Sequence, residues 1–270
     1  MNRYLQSSRL IRFLSMSLPL QTATKHLWIV RHGQALHNPR AEAAKDAGCS
    51  FDEFLELMRQ DDCLDADLTD LGRQQANAVS ERLSLVPFDA VVSSPLSRAI
   101  ETADLAYPPT TTRMTAHKRM IVEDFREING YLLNAQRRSK TELHNRFPAW
   151  DLSELQTEED SLWTDELEQQ MDAAERGYKG LLWIAGRPET NILLACHGGI
   201  LKYSMTQHPL IRMVDGRSNS SGSSKVDGTD RPVGGRFGNC EVRRYTISTE
   251  PETTTSTPSQ TTVVLTEVDL

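Results

Sequence analysis

The chain has 270 residues, 38% of them hydrophobic, which is enough for one α/β domain with a full core and too short for two large ones. Net charge is −7 and the pI is near 5.6, which excludes broad nucleic-acid binding because that needs a basic stripe; a small anion can still be held by a few local arginines. Cys49, Cys63, Cys196 and Cys240 form no CxxC pair, so neither a zinc ribbon nor a redox motif is expected, and a reducing compartment such as the cytoplasm fits this usage.

Residues 1–25 carry Arg3, Arg9, Arg12 and Lys25, several serines and no Asp or Glu. Leu5, Leu10, Ile11, Phe13 and Leu14 can share a helical face, the composition of a mitochondrial transit peptide; an extension with Met16 as the true start is the alternative. No apolar run is long enough to cross a membrane, and no membrane partner is expected. His26–Val30 reads as a buried strand. Residues 39–67 read as a helical insertion, with an amphipathic stretch at 51–58. Thr69 is placed to cap a helix running to about Leu85, with Leu71, Ala76, Val79 and Leu83 on one face. Phe88–Ser93 reads as a second strand, and Ser94 as the cap of a helix opening at Pro95. Residues 108–160 are mixed, and a helix is expected from about Thr164 to Trp183. Asn191–Cys196 is another buried strand, followed by a helix opening at Gly198-Gly199. Residues 215–235 read as a Gly/Ser/Asp loop, Glu241–Ile247 as an edge strand, 249–262 as a Thr/Ser/Pro linker within a 249–270 tail, and Val263–Leu270 as a possible last strand. Strands alternating with helices predict an α/β sandwich with a mostly parallel sheet, spanning about 26–248.

Three segments share one layout, in which a buried strand ends, a polar residue follows, and a helix or turn begins: Arg31-His32-Gly33, Ser93-Ser94-Pro95-Leu96-Ser97-Arg98 and Cys196-His197-Gly198-Gly199. Beyond the carboxyl ends of parallel strands such residues gather in one crevice. Two histidines and two arginines then meet there. Arginine forks suit phosphate. A neutral imidazole is a good nucleophile toward an anionic phosphoryl group, and Arg31 and Arg98 are expected to keep His32 unprotonated. His197 is placed to donate to a phosphoryl oxygen. The glycine after each histidine is read as allowing close backbone approach to the ligand. The leaving alcohol needs a proton, so a carboxylic acid is required nearby.

This constellation resembles the histidine phosphatase (phosphoglycerate mutase-like) superfamily over about residues 26–247. The matching text is Arg31-His32-Gly33-Gln34-Ala35-Leu36-His37-Asn38, Leu68-Thr69-Asp70-Leu71-Gly72-Arg73, Ser93-Ser94-Pro95-Leu96-Ser97-Arg98-Ala99, Phe125-Arg126-Glu127 and His197-Gly198-Gly199. The resemblance implies a three-layer αβα sandwich and no metal or other cofactor. It also implies a phosphorylated His32, a phosphate pocket of Arg31, Arg98 and His197, and Glu127 as proton donor. Asn38, Gln34 and Gly198 are placed with the substrate. Arg137 and Arg138 are read either as holding the far end of an anionic substrate or as an ordinary solvated pair. The other histidines, His37 among them, are assigned no role. Hydrolysis of a small phosphorylated metabolite is the expected activity, because the long basic insert of glycolytic mutases is not found here. A mutase-type phosphotransferase and a catalytically weak phosphate-binding module are the alternatives.

Overall fold

The computed structural model describes residues 24–60, 63–109, 118–217, 234–251 and 260–270. Almost all of the expected N-terminal extension, most of the expected 215–235 loop and the centre of the Thr/Ser/Pro linker lie outside the described residues.

In chain order the strands are β1 (Lys25–Arg31), β2 (Ala90–Ser93), β3 (Lys118–Ile121), β4 (Asn191–Cys196), β5 (Ile211–Asp215), β6 (Val242–Pro251) and β7 (Thr261–Val268). They form one sheet of order β3-β2-β4-β1-β6-β7-β5. Neighbours β3, β2, β4 and β1 are parallel, as are β5 and β7; β6 runs antiparallel to both β1 and β7. The sheet is therefore mostly parallel, as expected. The expected edge strand is interior, however: β6 pairs with β1 on one side and β7 on the other. The end of the predicted tail supplies that cover as β7, with Val263 and Leu265 fully buried. Strands β3 and β5 were not anticipated.

Side-chain alternation along β1 explains the layers. Leu27 and Ile29 enter one core, with Leu181 and Ile184 of α6 (Gln170–Gly186) and Ile200 and Leu201 of α7 (Gly198–Gln207). Trp28 and Val30 enter the other, with Ile100 and Ala103 of α4 (Ser97–Ala106), Leu83 of α3 (Asp70–Leu83) and Leu143 of α5 (Lys140–Arg146). Helices thus cover both faces of the sheet, the αβα arrangement. Helix α6 begins at Gln170 rather than near Thr164.

The expected insertion folds as α1 (Asn38–Asp46) and α2 (Phe51–Arg59). Ser50 starts α2 with a reciprocal cap: its Oγ accepts from the N–H of Glu53, and the Glu53 carboxylate accepts from the N–H of Ser50. Thr69 caps α3 as predicted, its Oγ1 accepting from the N–H of Gly72 at 3.0 Å, a device worth about 1 kcal/mol. Ala76 and Leu83 face the core, but Leu71 is exposed. Ser94 does not cap α4. The helix opens at Ser97, whose N–H and hydroxyl both donate to the carboxylate of Asp65. Among the described residues no helix is long and apolar enough to cross a membrane.

Candidate active site

Strand register places the two histidines side by side. Arg31 pairs with Cys196 across β1 and β4, so the residues that follow, His32 and His197, leave adjacent strands together. The N–H of His32 donates to the carbonyl of Cys196 at 3.0 Å, and the imidazole centroids lie 5.0 Å apart. Ser93 pairs with Ala195 across β2 and β4, which brings Ser94 Oγ to 2.7 Å from His197 Nε2. All three strand ends named in the sequence therefore meet.

His32 is buried, and its Nδ1 lies 2.7 Å from the carbonyl of Gly33. A carbonyl only accepts, so Nδ1 carries the proton and Nε2 keeps its lone pair. Burial is the largest influence holding the imidazole well below its ordinary pKa, followed by the charges of Arg98, Arg31 and His37; the bond to Gly33 acts the other way. The arginines act in the expected direction, second to desolvation.

Gly33 has a different reason from the one read in the sequence. A Cβ there would stand 2.5 Å from the backbone oxygen of Gly72, and one on Gly72 would stand 2.0 Å from that of Gln34. The two glycines let the His32 loop and the first turn of α3 touch backbone to backbone. The N–H of Gly33 also donates to Thr102 Oγ1 at 3.0 Å, and that hydroxyl donates to the carbonyl of Arg98. Loop and α4 are thereby tied.

Around His32 stand buried donors without a hydrogen-bond partner in the protein: Arg98 Nε and Nη2, Arg31 Nε, His197 Nδ1 and His37 Nδ1. Leaving such groups unmet costs about 1–3 kcal/mol each, more when charged, so the arrangement calls for an anion with several acceptor oxygens. Arg98 is fully buried; its Nη1 donates to the carbonyl of Asn134 at 2.6 Å, and burial brings its pKa down to about 10 while Asp65 and Glu127 act to raise it. Arg31 Nη1 donates to the carbonyl of Phe237 at 2.9 Å. Asn38 Oδ1 accepts from the N–H of Ala35 at 2.8 Å, and its Nδ2 lies 3.2 Å from His37 Nε2. The amide donates there, which leaves the proton of His37 on Nδ1.

His37 was assigned no role from the sequence, yet it is buried, lines the cavity and has its ring centroid 6.2 Å from that of His32. Its place directly before Asn38 was the available signal. Ser94 was read as a cap and is instead the partner of His197. Asp65 drew no attention, being a lone carboxylate in a polar stretch; it is fully buried with φ 46°, and burial raises its pKa to about 6.

A cavity of about 650 Å³ opens onto Arg31, His32, His37 and Asn38 and is lined further by Glu127, Asn134 and Gly198. Arg98 and His197 are fully buried and not part of this lining. Glu127 Oε2 accepts from the N–H of Gly199 at 3.1 Å; Oε1 accepts from Ile200 and Ile128, each at 3.0 Å. In this arrangement the carboxylate caps α7, and Oε2, which accepts a single N–H, keeps a lone pair to carry a proton.

Three predicted substrate contacts lie elsewhere. Gln34 is held outside the cavity lining, its Oε1 accepting from Thr69 Oγ1 at 3.0 Å. Arg137 is neither ligand contact nor solvated charge: its side chain is buried and spent on Glu123 and on the carbonyls of Arg138, Thr157, Glu158 and Glu159. Arg138 lies 3.7 Å from Asp65, also outside the lining. A sequence of two arginines carries no mark of whether they serve a loop or a ligand. Among the described residues no group of three or more His, Cys, Asp or Glu side chains is set to hold a metal ion.

Known proteins resemble this chain in sequence and in fold. A family model described as the histidine phosphatase superfamily, branch 1, matches residues 27–213. A phosphoglycerate mutase-like protein of Arabidopsis thaliana is 28% identical over 270 aligned residues, covering 87% of this chain and 91% of the relative. Phosphoglycerate mutase-like protein 1 of the same plant is 26% identical, covering 83% and 81%. Among solved structures, a mycobacterial glucosyl-3-phosphoglycerate phosphatase aligns with TM-score 0.46 and 21% identity, over 91% of this chain and all of the other.

Proposed function

The chain belongs to the histidine phosphatase superfamily, and from that membership we propose that it is a phosphomonoester hydrolase acting on a small phosphorylated metabolite through a phosphohistidine at His32. The observation that carries this reading is the ring of unpartnered buried donors about a neutral imidazole whose proton sits on Nδ1.

The steps follow from the atoms in place. Arg31, Arg98, His37 and His197 hold the phosphoryl oxygens. The Nε2 lone pair of His32 attacks phosphorus as the bond to the alcohol oxygen breaks. Glu127, on the cavity wall, passes a proton from Oε2 to the departing oxygen. Water then attacks the phosphoryl group, Glu127 takes back a proton, and His32 leaves as the neutral imidazole.

The test is release of inorganic phosphate by the purified chain from a panel of phosphate monoesters, with His32→Ala as control. Hydrolysis that vanishes in the variant supports the reading; full activity in the variant sinks it. The phosphoglycerate mutase-like relatives favour one second reading, transfer to another alcohol rather than to water. A coupled isomerisation assay primed with a bisphosphate separates the two.

A further inference from the structure

The phosphoryl chemistry uses one end of the cavity, yet the cavity measures about 650 Å³. A phosphoryl group fills a small part of that. Much of the remaining wall is apolar: Phe51, Phe54, Leu55 and Met58 of α2 line it, as do Ile128 and Leu132. Phe51 is 57% exposed, and Phe54 and Leu55 are half-buried, so this wall meets water while the cavity is open. Exposed apolar groups gathered at a concave site beside a reactive centre are the usual lining for the non-reacting part of a ligand. The capping box at Ser50 pins the start of α2, and Lys45 Nζ lies 5.4 Å from the Phe54 ring centroid, which holds the α1 and α2 walls together. The cations at the cavity, Arg31, Lys45, Lys202 and Arg236, outnumber its carboxylates, Glu127 and Glu168, and favour an anionic ligand as a whole.

We propose that the substrate is a phosphate monoester of a bulky apolar alcohol, aromatic or polycyclic, whose carbon body packs against Phe51, Phe54 and Met58 while its phosphoryl group meets His32. This rests on the phosphomonoester reading above and names the class of ester. A glycerate or small sugar phosphate leaves that wall wet and gains nothing from it; an apolar body removes both surfaces from water.

The experiment compares kcat/KM for 1-naphthyl phosphate with that for glycerol 3-phosphate, and repeats the comparison in Phe54→Ser and in Phe51→Ser/Phe54→Ser. The wild-type ratio is expected to favour the naphthyl ester by roughly tenfold or more, and the double variant to lose most of that preference, chiefly through KM. Leu85→Ser, at an exposed position away from the cavity, should leave the ratio unmoved. In parallel, His32→Ala is titrated with 1-naphthyl phosphate and with inorganic phosphate, the ester being expected to bind more tightly. Hydrolysis that favours glycerol 3-phosphate, or a ratio indifferent to both phenylalanines, overturns the pocket assignment and leaves the hydrolase reading standing. Absence of hydrolysis of every ester, with the binding preference and its loss in the phenylalanine variants intact, overturns the hydrolase reading and leaves the pocket assignment standing.

Discussion

The hydroxyl of Ser94 lies 2.7 Å from Nε2 of His197, and its oxygen also receives the N–H of Leu96 at 3.3 Å. The N–H of Leu96 can only donate, so of these two partners the imidazole alone can accept the hydroxyl hydrogen, and we read Ser94 as donating to it. His197 then carries its proton on Nδ1, the atom without a protein partner. Ser94→Ala frees the tautomer and is expected to lower kcat/KM by about 10–100-fold with little change in thermal stability. Steady-state kinetics beside a melting curve checks this; unchanged kinetics would remove Ser94 from the account.

Asp65 holds the entrance of α4, and of the carboxylates that favour the charged form of buried Arg98 its effect is the largest, ahead of Glu127. Asp65→Ala strands the Ser97 N–H and leaves Arg98 less compensated, at an expected cost of about 3 kcal/mol in a urea melt. The positive φ of Asp65 offers a control, since glycine accepts that backbone readily. If Asp65→Gly were as stable as the native protein, the carboxylate would have no such role.

The contact between Gly33 and Gly72 leaves no room for a side chain. Gly72→Ala must push α3 away from the His32 loop. A loss of about 2 kcal/mol or more is expected, together with a fall in kcat, because the loop that fixes Nε2 moves. A variant with native stability and turnover would show that the approach is not needed.

Stability should fall as the solution is acidified. His32, His37 and His197 are all held well below their ordinary pKa, each by burial first and by Arg98 second. They stay neutral in the folded chain and take up protons on unfolding below about pH 6.5, each costing about 1.4 kcal/mol per pH unit. Asp65 opposes them: with its pKa raised to about 6, it binds a proton in the folded state first and returns part of the loss down to its unfolded value near 4. Three protons against one leave a net decline, seen as a falling urea midpoint between pH 7 and pH 5. A flat or rising midpoint would mean that these imidazoles are not neutral in the folded protein.

The crevice was legible in the sequence because it depends on chain ends of buried strands. His32, His197 and Arg98 each follow an apolar run, and parallel register does the rest. Motif text alone also found Glu127 and Asn38, both on the cavity wall. What it could not show was tertiary pairing. Ser94 looks like a cap until His197 arrives from another strand, and Arg137 looks like a ligand contact until residues 157–159 fold over it. The interior place of β6 was hidden for the same reason, since β7 reaches it across a linker. Thr69 and Ser50 act within their own turns, and that is why the α3 cap was read correctly.

The central claim is covalent, so it is best met by trapping. The chain is mixed rapidly with a radiolabelled aryl phosphate, quenched in alkaline denaturant, and the label mapped by peptide mass spectrometry. The account predicts an acid-labile, base-stable phosphoryl group on the peptide bearing His32, absent from His32→Ala along with turnover. Steady hydrolysis with undiminished rate in His32→Ala, or a label mapped to another residue, would contradict it.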